Sequence, residues 1–303
     1  MSIRKSLIWF LIITFGLAWI LFLLPIPFGT PDSAIRRTIS SVGWTAAMWA
    51  PGLAALLVTR FVDRQPLSNL NLKRLGEKRV YLWAWLLPIA FAIPTGLLTW
   101  AFGLGKLDLE FTQIKQAMAQ APGGSAISPI LVVLIQALIA LTIGPLFNTL
   151  FAVGEELGWR GYLFPKLLHL GQGKAILLTG IIWGLWHAPV ILQGHNYPGH
   201  PVLGVFLMIG FCLLLGAILC WLYLRTRSPW APALAHGAIN AVAGLPLMFM
   251  TGVDMALGGT VASLTGWIPM ILFVSWLVWS KRLPVMVETA DISLASIESG
   301  QAE

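Results

Sequence analysis

Six side chains in this sequence have types and spacings that suit the activation of a water molecule. Glu155 and Glu156 are adjacent, and Arg160 follows Glu156 by four residues. His187 lies in a later apolar run, and His236 and Asn240 lie four apart in another. Residues at i and i+4 of a helix share a face, so Glu156 can pair with Arg160 and Asn240 can join His236. Glu155 is rotated about 100° from Glu156 and is free to point elsewhere. A carboxylate can take a proton from water, neutral imidazoles can orient that water or hold a metal, and an asparagine amide can donate to a developing oxyanion. Each piece has a plainer account. Glu156 and Arg160 can be a helix-end ion pair, His187 a core histidine donating to a carbonyl, and His236 with Asn240 an interhelical hydrogen-bonding pair. None of these explains a second adjacent glutamate, and ionisable groups among membrane helices are costly unless they face a partner or a cavity.

These residues are carried by membrane helices. The chain has 303 residues, of which 57% are hydrophobic and only 10% charged, and its mean hydropathy is +0.82. Soluble domains are nearer a quarter charged. The apolar runs are hydrophobic on all sides and close to 20 residues long, which predicts helices rather than barrel strands. Eight spans are expected, at about 7–28, 39–61, 80–104, 127–153, 174–192, 202–224, 230–250 and 260–280. Gly144 and Pro145 are expected to bend the fourth, and Phe111, Ile114 and Met118 to line one face of a short interfacial helix. The fold class is therefore all-α, a polytopic membrane bundle, with residues 1–286 as one transmembrane domain and 287–303 as a disordered cytoplasmic tail. Cys212 and Cys220 are read as buried small hydrophobes, since eight residues place them about two helical turns apart.

The net charge of +7 could suggest nucleic acid, but in a membrane chain it marks loops instead. With the N-terminus in the cytoplasm and alternating spans, 15 of the 19 basic residues fall inside and four outside (Arg36, Arg37, Lys106, Lys115). This predicts a multi-pass protein of the cell (plasma) membrane with both termini cytoplasmic. It also places Glu155 and Glu156 at the cytoplasmic end of the fourth span, with a cavity open to that side. His169, His195 and His200 fall in loops with no evident partners.

The pattern E-E-x-x-x-R, aromatic-x-x-x-H and H-x-x-x-N, each in its own apolar segment, resembles the CPBP family. These are the intramembrane proteases like CAAX prenyl endopeptidase, including bacterial Abi and bacteriocin-immunity-type proteins. The resemblance covers roughly residues 127–250, the expected catalytic core. It implies that Glu155 is the base that activates water and that Glu156 and Arg160 support it or engage the substrate. His187 and His236 would position the water or bind a metal, and Asn240 would stabilise the oxyanion. The family usually carries phenylalanine where this chain has Trp183, which keeps an aromatic wall but adds volume.

The expected function is intramembrane endopeptidase chemistry near the cytoplasmic membrane face, on a peptide or protein substrate at the lipid bilayer. A divalent metal such as zinc, held by His187, His236 and Glu155, is the one cofactor the site suggests, although no H-E-x-x-H or other standard zinc spacing occurs. No organic cofactor is expected. An ion- or proton-coupled transporter would spread carboxylates along a path between the two faces, and here they cluster at one level. A non-enzymatic immunity protein would act by binding alone and would tolerate loss of Glu155. Haem ligation by His187 and His236 would need a large flat pocket between them.

Overall fold

A computed structural model describes residues 3–120 and 127–285. The expected tail at 287–303, with residue 286, lies outside the described residues. The chain is an all-α polytopic membrane bundle. Helices α1 (Ile3–Leu23), α2 (Ala34–Ala47) and α3 (Ala50–Leu57) are followed by α4 (Arg79–Ala101), the short α5 (Thr112–Ala119) and α6 (Pro129–Leu141). Then come α7 (Ile143–Gly158), α8 (Phe164–Leu167), α9 (Gln172–Trp186), α10 (Ala188–Leu192), α11 (Pro201–Thr226), α12 (Trp230–Val242) and α13 (Leu264–Trp279). A two-residue antiparallel pairing, β1 (Lys106–Leu107) with β2 (Met250–Thr251), clips two loops together.

Among the described residues, five helical stretches are long and apolar enough to cross a membrane, and the bent pair α6–α7 makes a sixth. The other two expected spans are shorter helices. The fifth breaks into α9 and α10 at His187, ahead of Pro189, and α13 has 16 residues. Sixteen residues rise about 24 Å, short of a hydrocarbon core of roughly 30 Å. The bend between α6 and α7 is 49° and falls at Thr142, just before Gly144 and Pro145. Phe111, Ile114 and Met118 are the half-buried positions at α5, as their spacing predicts.

The fourth span does not end at 153. It continues through a π-helical turn at Trp159–Leu163 into α8, so Glu155 lies eleven residues before Lys166, about 16 Å deeper in the bundle. Helix α7 runs between α3 and α12 at close range. A Cβ on Gly154 would come within 2.8 Å of the Met48 carbonyl, one on Gly158 within 2.3 Å of Pro51, and one on Gly237 within 2.5 Å of the Thr149 nitrogen. Small residues at these positions let the backbones approach, as in other membrane helix pairs.

The two ends of the bundle are tied by different contacts. At one end Lys166 pairs with Asp63, Arg225 pairs with Glu77, and Trp230 donates to the Leu72 carbonyl. Asp63 also accepts from Tyr162 and Ser6. At the other end Arg36 and Phe22 meet Gln193, His200 pairs with Asp254, and Tyr197 donates to the Ala262 carbonyl. The histidines expected to be partnerless thus include one, His200, with a carboxylate at 2.8 Å.

Candidate active site

A cavity of about 800 Å³ enters the bundle, and Glu155, His187, His236 and Asn240 all line it. Three separate helical segments bring them there: α7, the α9–α10 break and α12. Glu156 and Arg160 do not reach the wall. They sit behind it, fully buried, with Arg160 Nη1 donating to Glu156 Oε1 at 2.9 Å. His236 spans the two layers. Its Nδ1 donates to Glu156 Oε1 at 2.9 Å, while its Nε2 lies 4.0 Å from Glu155 Oε1. The Arg160 guanidinium rests 4.4 Å over the Trp183 ring, and its Nε and Nη2 find no hydrogen-bond partner among the described residues. One carboxylate and one aromatic face therefore hold this cation.

Glu155 is oriented by two indoles. Trp183 Nε1 donates to its Oε2 at 2.7 Å and Trp159 Nε1 to the same oxygen at 3.2 Å. Oε1 remains toward His236. The sequence treated Trp183 as wall and volume, whereas the structure makes it a hydrogen-bond donor, a function that phenylalanine lacks. His187 is fixed in turn by donation from its Nδ1 to the Trp183 carbonyl at 2.9 Å, and by Trp186, whose ring packs edge-on at 4.7 Å. Both imidazoles use Nδ1 for a structural bond, which leaves Nε2 of each available to the cavity.

Further residues were not singled out from the sequence, one on the cavity wall (Asn148) and one buried behind it as a donor to Glu155 (Trp159). Asn148 lies seven residues before Glu155, two turns along the same face, and Trp159 lies four residues after it. Helical periodicity from Glu155 could have found both. Cys212 also lines the cavity, with its sulfur 3.9 Å from His187 Nδ1, and it and Cys220 are free and buried. No local signal in α11 marks it.

Two imidazoles and a carboxylate are donor types that zinc accepts, and a histidine ligand commonly gives its other nitrogen to a carboxylate, as His236 does to Glu156. Their spacing does not match. Among the described residues no three His, Cys, Asp or Glu side chains are grouped closely enough to hold an ion.

The cavity mouth is at the end opposite to the one the sequence indicated. The wall runs from Glu155 and His236 past Trp44 and Gln193 to Pro31, Arg36, Arg37, His195 and Met255. Among the described residues, none from the basic loop at 63–79, the 160–174 segment or the 225–230 turn lines it. The cause is depth and rotation. Glu155 faces the cavity, which Ser41, Trp44 and Thr45 of α2 also line, while Gly154 and Gly158 pack closely against Met48, Trp49 and Pro51.

Residues 128–242, which contain every one of these site positions except those contributed by α1–α3 and the outer loops, match the family model described as Type II CAAX prenyl endopeptidase Rce1-like. Over 86 residues the chain is 40% identical to CAAX prenyl protease 2 of Methanococcus maripaludis, a match covering 26% of this chain and 31% of that protein. The chain thus spans about a third of the length of that curated relative.

Proposed function

We propose, on the match of residues 128–242 to the Rce1-like CAAX prenyl endopeptidase model, that this chain is an intramembrane endopeptidase with Glu155 as general base. The observation that carries this is the approach of Glu155 Oε1 and His236 Nε2 to 4.0 Å on the wall of the cavity of about 800 Å³. A water between them would sit at about 2.8 Å from each. Glu155 accepts a proton from that water as its oxygen attacks the scissile carbonyl. The proton then passes to the leaving nitrogen as the C–N bond breaks. The Asn240 amide donates to the oxyanion, His236 Nε2 accepts a hydrogen bond from the second proton of the water and holds its orientation, and His187 Nε2 accepts from the polar groups that enter the cavity beside it. Glu156 and Arg160 act through His236: the pair fixes its ring and so fixes which nitrogen faces the cavity. The surrounding indoles and the bundle itself limit bulk water at the reacting centre.

His187, His236 and Glu155 have the donor types that a divalent ion such as zinc accepts, and such an ion would supply Lewis acidity and a more acidic bound water. Among the described residues they are not grouped closely enough to hold one, so the mechanism above passes through no metal. Metal content and chelator sensitivity of the purified protein test this.

The location follows from charge. Fifteen basic residues against four support a cell-membrane location with both termini in the cytoplasm. The test of activity is cleavage of a peptide library by the purified protein in detergent, with Glu155→Ala, His187→Ala and His236→Ala alongside. Cleavage by wild type and by none of the variants is expected. Equal behaviour of all four would refute the endopeptidase assignment.

A further inference from the structure

We propose that the site takes its substrate from the extracytoplasmic side, as an exposed polypeptide segment with acidic residues where it crosses the cavity entrance. The inference rests on the endopeptidase reading above and goes beyond it in naming the side and the chemistry of the substrate. Three independent observations meet here. The first is where the cavity opens. Its mouth is built from the loop before α2, the 193–196 turn and the loop before α13, with Pro31, His195, Asn196 and Met255 on its rim. The second is charge. The opposite end carries fourteen basic residues once buried Arg160 is set aside, and the mouth end carries four. Basic loops stay in the cytoplasm, so the mouth faces outward.

The third observation is closure at the basic end. Beneath Glu155 lies the buried layer of Glu156, Arg160 and Leu157, all at most 2% exposed. Beneath that, Lys166, Tyr162 and Ser6 converge on Asp63, and Arg225 pairs with Glu77. A peptide arriving from the cytoplasm would meet this plug and would have to displace a desolvated ion pair to reach Glu155.

The rim also says which peptides fit. Arg36 donates to the Gly29 carbonyl and to Gln193, and Arg37 donates to the Asp32 carbonyl. Among the described residues neither guanidinium has a carboxylate side chain within ion-pair distance. Both line the cavity. Two cations at the entrance of a low-dielectric cleft attract acidic side chains and repel basic ones.

The test is side-resolved and uses the full chain in its membrane. Ser41→Cys lies on the cavity wall of α2, and Ser68→Cys lies exposed in the basic loop. Each is made in the otherwise unaltered chain, with the parent as blank for buried Cys212 and Cys220. A membrane-impermeant maleimide added to intact cells is expected to label the Ser41→Cys variant and spare the Ser68→Cys variant, and inverted vesicles are expected to reverse this. The opposite pattern overturns the proposal and leaves the endopeptidase reading intact. Charged, impermeant peptides are offered in parallel to right-side-out and inverted vesicles bearing wild type or Glu155→Ala. Cleavage by wild type in right-side-out vesicles, with acidic peptides cut in preference to basic ones, is expected. Cleavage confined to inverted vesicles, or seen only after detergent, overturns the proposal. If labelling follows the expected pattern and no preparation cuts any peptide, the endopeptidase reading fails while outward access of the cavity stands.

Discussion

The two faces of α7 carry the same residue type at adjacent positions and put it to opposite uses. On the cavity face, Glu155 has one oxygen bound by two indoles and the other left toward His236 and open space. On the sealed face, Glu156 is 0% exposed and bound by Arg160 and His236. A rotation of about 100° between neighbours is enough to separate reactivity from structure. A buried charge and a reactive charge thus need different surroundings. The first must be matched at once by a counter-charge, and the second must keep a coordination position free for water.

The contrast can be broken by variants that should affect one face only. Glu155→Gln removes the base with little change in shape. It is expected to lower kcat by about 10²–10⁴-fold, the usual contribution of a general base, with little change in melting temperature. Peptide cleavage beside a thermal melt in detergent checks both halves. Arg160→Ala acts on the other face: it strands a buried carboxylate. Its expected cost is about 3–5 kcal/mol of stability, read as a large fall in melting temperature at any pH where the pair is ionised. If Glu155→Gln proved the more destabilising of the two, the division between the faces would be wrong.

Smaller effects sharpen the same contrast. Trp183→Phe restores the residue usual in the resembled family but loses the indole donor to Glu155. A hydrogen bond to a charged group contributes about 1.5–3 kcal/mol, so kcat should fall roughly 10–100-fold while KM changes little. A change confined to KM would return Trp183 to the status of wall. Arg36→Gln with Arg37→Gln should raise KM for acidic peptides and leave that for neutral peptides near wild type, with the difference vanishing at high salt. The smallest effect concerns the closed end. Burial pushes the Asp63 carboxyl up, but hydrogen bonds from Ser6, Lys166 and Tyr162 outweigh it and hold the group below its ordinary carboxylate value. A depressed carboxylate contributes stability above its unfolded value and loses it as pH falls through the folded one. Melting temperature should therefore drop in that acid range for wild type and much less for Asp63→Asn. Because the group is partly exposed, the effect should be slight.

Much of this molecule was readable before it had a shape. Eight apolar segments become helices because a lipid-facing backbone has no other way to satisfy its amides, and composition alone reports that. Glu156 and Arg160 pair as their spacing demands, and His236 shares a cavity with Asn240 for the same reason. The lengths were less legible. The fourth span runs on through a π-helical turn because Trp159–Leu163 packs as apolar wall, although it carries an arginine that marked an end. His187 sits at a helix break rather than within a span, where Pro189 removes a backbone donor.

Residue types and the helices that carry them were legible in the order of the amino acids, because they depend on local periodicity and on transfer to lipid. The turn of each helix and the closed end of the bundle came from packing. Gly154, Gly158 and Gly237 fix how far α7 rolls between α3 and α12, and that roll puts Glu155 on the cavity and Glu156 against Arg160. The indole of Trp183 reaches Glu155 from 28 residues away, a distance no helical period spans. The mouth opens away from the basic end because the ion pairs and the buried layer fill that end, a result of packing among helices that are far apart in sequence.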